Sequence, residues 1–236
     1  MLSHKGETKA QKASKNKDGQ PSLMLRAWRL LKSKLSNFRI FYLGRLVRTF
    51  RTPRIPVNPD GKVLIHIGCG EFNDPRYINI DKRKLEHIHF VGSAEGLSSI
   101  PLNCADLIYM SHILEHISHL KLKGVLVSLR QRLKNGGILR ISVPDFDKMI
   151  EIYKETEAIE SIIPPLMGGQ DYPENYHTSV FNFEYLSKLL TEAGFRSVRE
   201  WDPANAEYHD FEDWSRIPFC VGNRQYSISL NLEAVK

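Results

Sequence analysis

From residue 62 onward, short apolar runs that fit β-strands alternate with longer stretches of helical periodicity. This alternation is typical of an α/β fold, because each parallel connection must cross over the sheet and usually does so as a helix. We therefore predict a mainly parallel seven-stranded sheet with flanking helices. The predicted strands lie at about 62–67, 77–81, 88–92, 106–111, 138–143, 196–201 and 226–235. The predicted helices lie at about 119–134, 146–158 and 183–194, with Asp145 and Asn182 as N-caps and with Asn135–Gly137 and Gly194 as stops.

The net positive charge of the chain comes from its first quarter. Residues 1–61 hold 14 Lys and Arg against 3 Asp and Glu, which is +11, whereas the other 175 residues hold 19 against 24, which is −5. Residues 1–22 are polar and Lys-rich, and we predict a disordered tail because they have too little apolar surface to repay ordering. We predict a basic amphipathic helical arm and linker over 23–59 and one globular domain over 60–236.

Composition argues against membrane-spanning and secreted classes. No apolar stretch approaches the roughly 20 residues that a transmembrane helix requires, and the N-terminus does not resemble a signal peptide. The three cysteines, Cys69, Cys104 and Cys220, are an odd number and form no CxxC pair, so they indicate neither a disulfide framework nor a zinc cluster. We expect a cytoplasmic protein.

A glycine turn, Gly68-Cys69-Gly70, directly follows the first predicted strand. Glycines there let the backbone approach a ligand at the carboxyl edge of the sheet, although a tight turn with positive φ has the same pattern. Position 73 is Asn, so the third glycine of the dinucleotide fingerprint is missing. The next predicted strand ends in Asp81, where a carboxylate can hold a ribose diol or can serve as a turn residue. Together the two features favour an adenosyl ligand.

Five segments, in this order, resemble the class I S-adenosylmethionine (SAM)-dependent methyltransferases of the methyltransferase type 11 group over residues 60–200. They are HIGCG, the strand that ends in Asp81, HFVGSAEGLSSIP, CADLIYMSHILEHI and LRQRLKNGGILRISVPD. The resemblance implies a Rossmann-like methyltransferase domain with SAM as its cofactor. It also implies cofactor-binding roles for Gly68, Cys69, Gly70, Asp81, Ser93, Ala94 and His112.

Two departures from the family pattern narrow the resemblance. Only 13 positions separate Gly68 from Asp81, so the first crossover helix must be very short or replaced by a loop. Ser93 stands where the family usually has Asp in the adenine segment. A short first crossover, together with the segment GGQDYPENYHTSVFNFEYLSKLLTEAGF, resembles a subgroup associated with bacterial cell-surface polysaccharide synthesis.

Methyl transfer to a hydroxyl is an in-line displacement that needs alignment and a base. Related O-methyltransferases place a His and an Asp after strands four and five, which implies His116 as the base and Asp145 as its orienting partner. Capping or a cofactor contact is the alternative for His116, and helix capping is the alternative for Asp145. His112 and His116 also fit an HxxEH zinc pattern, but the segment leaves a strand rather than lying within a long helix, and we expect no metal.

The segment 164–177 is predicted to be a long loop at the acceptor side, within a lid of residues 163–180. Gly168 and Gly169 would act as hinges, Tyr172 and Tyr176 would stack on a sugar, and His177 is a second candidate base. A solvated surface loop is the alternative. A later loop, 206–214, mixes acidic and aromatic residues and is a second segment that could close over the site.

The basic arm has three interpretations: packing on the domain, contact of residues 23–52 with an anionic membrane or another polyanion, or binding of nucleic acid or another partner such as a protein. Nothing in the chain resembles an RNA-binding module, so nucleic acid is disfavoured. We expect an O-methyltransferase for a sugar or glycan precursor, cytoplasmic or peripheral to the membrane. The alternatives are a methyltransferase for RNA or another small molecule, and a non-catalytic scaffold subunit with this fold.

Overall fold

The computed structural model describes residues 53–236, together with Leu46 and Arg48, which are helical. The predicted tail and almost all of the predicted arm therefore lie outside the described residues. The contacts divide the chain into one unit of residues 52–83 and 87–236 and a second of residues 1–51 and 84–86. All the features below belong to the first unit. None of the helices in the described part of the chain combines the length and apolar character needed to cross a membrane.

The described residues form a seven-stranded sheet in the order β3-β2-β1-β4-β5-β9-β6. Strands β1 to β5 are parallel, and β9 runs antiparallel to both of its neighbours. This confirms the predicted mainly parallel sheet. The strands are β1 Leu64–Ile67, β2 Tyr77–Asp81, β3 Phe90–Val91, β4 Ala105–Ser111, β5 Leu133–Pro144, β6 Ser197–Glu200 and β9 Ser229–Val235, with a separate hairpin of β7 Phe219–Val221 and β8 Arg224–Tyr226.

Within residues 53–236, four α-helices accompany the strands: α1 Leu122–Arg132, α2 Phe146–Thr156, α3 Ile163–Met167 and α4 Phe183–Glu192. Single 3₁₀ turns lie at Leu114–His116 and Ile159–Ser161. Both predicted N-caps are confirmed. The Asp145 carboxylate accepts a hydrogen bond from the backbone N–H of Asp147 at 3.0 Å, and Asn182 Oδ1 accepts one from Tyr185 at 3.0 Å. Each cap satisfies an N–H that the helix itself leaves unpaired.

One face of the sheet is covered by helices α1 and α4. The inward residues of α1 recur at helical spacing, and they share one core with alternate residues of the central strands. These α1 residues are Leu122, Val125, Leu126 and Leu129. Leu186 and Leu190 of α4 complete the layer. Burying each such leucine contributes roughly 1.5–3 kcal/mol.

The opposite face of β1, β2 and β4 is covered by residues 201–215, which we name the covering loop. Residues 68–76, between β1 and β2, form turns and irregular backbone, so a loop replaces the first crossover helix, as predicted. Aromatic rings of the covering loop pack where a first crossover helix would otherwise lie. The ring centroid of His209 lies 5.2 Å from that of Tyr109 and 4.4 Å from that of Phe211. Phe211 in turn stacks on His66 of β1 at 5.8 Å.

A buried acid anchors the covering loop to the sheet. Asp213 is 1% exposed, and its carboxylate accepts hydrogen bonds from the Tyr109 hydroxyl at 2.5 Å and the Ser215 hydroxyl at 2.6 Å. Both carboxylate oxygens are therefore paired, as burial of a charged group requires. On the same face, Arg140 donates two hydrogen bonds to Glu233 of the adjacent strand, at 2.8 and 2.7 Å.

Two local predictions are wrong. Asn135–Gly137 were expected to end α1, but α1 ends at Arg132 because Leu133 turns extended and pairs with Ala105, and the three residues lie inside β5. The predicted loop 164–177 opens with helix α3 instead. Prolines occupy the first turn of α3, where a missing N–H breaks no helical hydrogen bond.

Candidate active site

The glycine turn lies at the carboxyl edge of the sheet and adopts left-handed backbone, with φ of +72° at Gly68 and +58° at Gly70. A Cβ on Gly68 would lie 2.0 Å from Cδ1 of Ile113, so a side chain at this left-handed position would strain the backbone and displace Ile113. Gly68 N–H donates to the Ile80 carbonyl at 2.7 Å, which ties the turn to β2. Cys69 is fully buried, and burial raises the pKa of its thiol, so the exposed part of the turn consists of its two glycines.

Asp81 lies beside this turn and is 7% exposed. Its Oδ2 accepts the Gly70 N–H at 2.8 Å, and its Oδ1 accepts the backbone N–H of Arg83 at 2.8 Å and Arg83 Nε at 3.2 Å. Sequence reasoning missed Arg83. Its guanidinium also lies over the turn, because a Cβ on Gly70 would come within 2.7 Å of it. The carboxylate fits a ribose diol once the Arg83 side chain, 39% exposed, turns aside.

The adenine segment reaches the same edge. The Gly92 N–H donates to the Asp81 carbonyl at 3.0 Å, so Ser93 and Ala94 follow directly beside Asp81. Ala94 is buried in the core and Ser93 is half-buried.

His112 follows β4 with a left-handed backbone, φ +51°. Its Nε2 lies 2.9 Å from the Ser229 hydroxyl, and its Nδ1 lies 3.2 Å from Glu115 Oε1. Ser229 donates its own hydrogen to the Trp214 carbonyl, so His112 Nε2 is the donor to Ser229. Because protein atoms face both ring nitrogens, the predicted cofactor contact of His112 would fall to its backbone.

Glu115, His116 and His177 converge beyond the end of β4, and we name them the histidine cluster. One carboxylate oxygen of Glu115 and one ring nitrogen of each histidine lie within 4.8 Å of one another. The centroids of the two imidazole rings are 4.9 Å apart, and His177 Nε2 is 4.0 Å from Glu115 Oε1. Sequence reasoning proposed His116 and His177 separately and gave Glu115 no role outside the zinc pattern.

Backbone hydrogen bonds hold the histidine cluster together across 60 residues of chain. The Glu115 carbonyl accepts the N–H groups of Thr178 and Ser179 at 2.8 and 3.1 Å. The Ser179 hydroxyl donates to the Ile117 carbonyl at 2.6 Å. These bonds fix the end of the 163–180 segment against the 3₁₀ turn, which places the His177 ring beside Glu115.

Each histidine of the cluster has one ring nitrogen engaged by a backbone carbonyl. His116 Nδ1 lies 3.1 Å from the Tyr176 carbonyl, and His177 Nδ1 lies 2.9 Å from the Pro165 carbonyl. A carbonyl only accepts, so both Nδ1 atoms carry the hydrogen and both Nε2 atoms keep a lone pair in the neutral rings.

Electrostatics in the cluster favour a neutral base beside a charged acid. Burial lowers the pKa of His177, although Glu115 opposes this effect. Burial alone would raise the pKa of Glu115, but the imidazoles of His112, His116 and His177 together hold it below its ordinary value. Glu115 is therefore a carboxylate at neutral pH although it is only 1% exposed.

Asp145 occupies the end of β5 as predicted, and its side chain is the N-cap of α2. Burial raises the pKa of its carboxyl. Among the described residues no hydrogen bond joins it to His116, so its predicted orienting role is carried by no direct contact.

The 163–180 segment is braced by its own hydrogen bonds rather than open at the predicted glycine hinges. The Gln170 N–H donates to the Asn175 carbonyl at 2.9 Å, and the His177 N–H donates to the Met167 carbonyl at 3.1 Å. Gly168 has φ +80°, and a Cβ there would lie 2.5 Å from the Asn175 carbonyl oxygen. Burial raises the pKa of the Tyr172 hydroxyl.

A class I SAM-dependent methyltransferase is defined by the strand order of the sheet and its antiparallel strand β9, together with the glycine turn and Asp81. The family profile of the methyltransferase domain matches residues 41–200. The chain therefore belongs to the methyltransferase-domain family, and SAM is its cofactor. The residues that would hold SAM are the glycine turn, Asp81 and the Ser93-Ala94 segment.

The chain is also similar to solved methyltransferase structures. One from Thermotoga maritima, described as a possible histamine N-methyltransferase, is 15% identical with a TM-score of 0.48, covering 88% of this chain and 97% of that one. One from Archaeoglobus fulgidus is 17% identical, with a TM-score of 0.48 and coverage of 86% and 99%. The 1,6-didemethyltoxoflavin-N1-methyltransferase of Burkholderia thailandensis is 14% identical, with a TM-score of 0.46 and coverage of 92% and 91%. No curated protein matches the chain significantly in sequence.

Proposed function

We propose that this methyltransferase transfers the methyl group of SAM to a hydroxyl of a sugar or glycan precursor. The observation that carries the hydroxyl is the histidine cluster, since two imidazole Nε2 lone pairs lie beside a buried carboxylate at the acceptor side of the sheet. Transfer to a hydroxyl requires a proton acceptor, and imidazole is the side chain best suited to that task near neutral pH.

The proposed roles follow from the hydrogen bonds. SAM supplies the electrophilic methyl group. His116 or His177 accepts the hydroxyl proton at Nε2 while its Nδ1–H stays bound to a backbone carbonyl. The Glu115 carboxylate stabilises the imidazolium that forms, because an opposite charge in a low-dielectric site interacts strongly. Asp145 would orient the acceptor hydroxyl rather than His116, since its carboxylate caps α2.

The sugar acceptor is supported by aromatic side chains and by the subgroup resemblance. Tyr172 and Tyr176 of the 163–180 segment are 54% and 48% exposed, so their rings are available for stacking on a sugar face. The short first crossover, which resembles that of methyltransferases associated with bacterial surface polysaccharides, points to the same acceptor class.

Cofactor binding is the first test. Titration of the full chain with SAM by calorimetry should give affinity in the micromolar range, and Asp81→Ala should weaken it at least about tenfold, or about 1.4 kcal/mol, because the ribose loses a charged acceptor. Asp202→Ala is the matched control, since that carboxylate is exposed and binds only its neighbours Ala204 and Asn205. If the wild-type chain fails to bind SAM, the alternative of a non-catalytic scaffold is favoured.

The acceptor is tested with methyl-labelled SAM and a panel of sugar nucleotides, lipid-linked glycans, RNA and small-molecule amines. We expect label in the glycan arm, with a large loss in His116→Ala or His177→Ala. His119→Ala, at an exposed histidine three residues from His116, is the control. Glycan labelling that survives both cluster variants would reject the histidine base, and labelling confined to RNA or to amines would reject the acceptor class.

We further propose that residues 23–52 bring the enzyme to an anionic membrane where lipid-linked glycans reside. The support is their sequence, in which basic residues accompany an apolar stripe. Deletion of residues 1–52 should abolish sedimentation with vesicles that contain anionic lipid. Unchanged sedimentation would leave packing or another partner as the role of the arm.

A further inference from the structure

Glu115 has an unusual position for a charged side chain. It is 1% exposed, and neither carboxylate oxygen has a properly aligned hydrogen-bond donor among the described residues. His112 Nδ1 approaches Oε1 at 3.2 Å but without hydrogen-bond alignment. A buried carboxylate normally pairs with donors or coordinates a metal, because desolvation without compensation costs several kcal/mol. The imidazoles of His116 and His177 also lie around this carboxylate, each with one ring nitrogen within 4.8 Å of a Glu115 oxygen.

The two imidazoles are oriented as metal ligands usually are. A coordinating histidine almost always donates its second ring N–H to a carbonyl or a carboxylate, which fixes the ring and leaves the other nitrogen for the ion. His116 donates to the Tyr176 carbonyl and His177 donates to the Pro165 carbonyl. These backbone partners belong to the 163–180 segment, which is itself tied to Glu115 through Thr178 and Ser179.

We propose that Glu115, His116 and His177 bind one divalent transition-metal ion of the zinc type. Two imidazoles and one carboxylate, with a further position open to water or to an oxygen ligand, form a set that suits such ions. Ligand atoms lie about 2.0–2.2 Å from zinc, so neighbouring ligands are roughly 3.4 Å apart. One potential ligand atom from each of the three side chains lies within 4.8 Å of the others in this structure, so binding of the ion would draw the three side chains closer together.

The proposed ligand set differs from the zinc pattern visible in the sequence. That pattern pairs His112 with His116 and treats Glu115 as a base. In the structure, His112 donates through Nε2 to Ser229, and the second histidine of the cluster comes from position 177. Binding of the ion does not depend on the acceptor. Its use in catalysis rests on the proposed methyl transfer to a hydroxyl: with the free ring nitrogens on the ion, the open position would hold the acceptor hydroxyl and lower its pKa in place of a histidine base.

Direct titration of the metal-free full chain tests the site. Co²⁺ is followed by its visible absorption, and Zn²⁺ is followed by calorimetry. We expect one ion per chain, with at least tenfold weaker binding in His177→Ala and in Glu115→Gln. His119→Ala, which removes an exposed histidine from the same stretch of chain, should bind like the wild type. Circular dichroism and the SAM titration establish that each variant is folded.

The outcomes are separable from those of the proposed function. No cobalt or zinc binding by the wild type, or equal binding by the wild type, His177→Ala and Glu115→Gln, would overturn the metal site. If Glu115→Gln does not fold, His177→Ala, altered at a half-buried position in a loop, decides the matter alone. Binding of one ion per chain that is lost in the variants supports the metal site even if no acceptor is methylated. Glycan methylation without metal binding would overturn the metal site and keep the proposed function with a free histidine base.

Discussion

Replacement of His66 by Phe should remove a defined part of the acid sensitivity of the fold. His66 is 2% exposed, and its Nδ1 has no hydrogen-bond partner among the described residues. Burial lowers its pKa from the ordinary 6.5 to about 4, although the charge of Asp213 opposes the shift. The folded state therefore binds fewer protons than the unfolded chain between these values, and the free energy of unfolding falls as the pH falls through that window.

The magnitude follows from the same two pKa values. A shift of 2.5 units corresponds to roughly 3 kcal/mol when the pH is below both values, and to about 2 kcal/mol at pH 5. Phe cannot be protonated and keeps the ring packing against Tyr109 and Phe211. At pH 5 the variant should therefore gain about 2 kcal/mol relative to wild type, or about 4–8 °C in Tm for a chain of this length.

The assay is urea unfolding of wild type and His66→Phe at pH 7.5 and pH 5, with the free energies extrapolated to water. The difference between the two proteins is compared across the two pH values, so that the contributions of His177 and His209, whose pKa values are also lowered by burial, cancel. His119→Phe makes the same change at an exposed site and should show little dependence of the difference on pH. A difference for His66→Phe that is equal at both pH values would refute a buried neutral His66.

Three further changes test the packing around the site, each by urea unfolding at pH 7.5. Gly68→Ala should destabilise the fold by about 2–4 kcal/mol, because an L residue at φ +72° is strained and its Cβ overlaps the Ile113 side chain; Ile113→Ala in the same chain should relieve the overlap but not the strain. Tyr109→Phe should cost about 1–3 kcal/mol, since it leaves the buried Asp213 carboxylate short of a donor. Phe211→Ala should lower the free energy of unfolding by about 2–3 kcal/mol, less than the same replacement of a fully buried Phe. Unchanged stability would mean that the Phe211 ring of the covering loop contributes nothing to the core.

Local signals in the sequence were sufficient for much of the fold. Strand β2, Tyr77–Asp81, has the predicted bounds, because the signals that predict it, an apolar alternation and a terminal carboxylate, all lie within its own five residues. The caps Asp145 and Asn182 depend only on a side chain and an N–H two or three residues away. The shortened first crossover was predictable from a count of residues between Gly68 and Asp81.

What could not be predicted depends on contacts between distant parts of the chain. Glu115 meets His177 because Thr178 and Ser179 return to the Glu115 carbonyl, and no local pattern encodes that return. The sequence of residues 206–214 shows a mixture of acidic and aromatic residues but not where they attach. Asp213 pairs with Tyr109, 104 residues earlier. The role of Arg83 could not be predicted, because a single arginine after a strand does not by itself indicate a binding site.

The covering loop has a consequence for the order in which the chain acquires its structure during synthesis. The central strands β1, β2 and β4 are made early, but one of their faces stays exposed until residues 201–215 have left the ribosome. Contacts of such long sequence separation form slowly, and apolar faces that wait for them are prone to aggregate. Chains truncated before residue 201 should therefore require chaperone assistance, although they contain the glycine turn, Asp81 and the histidine cluster.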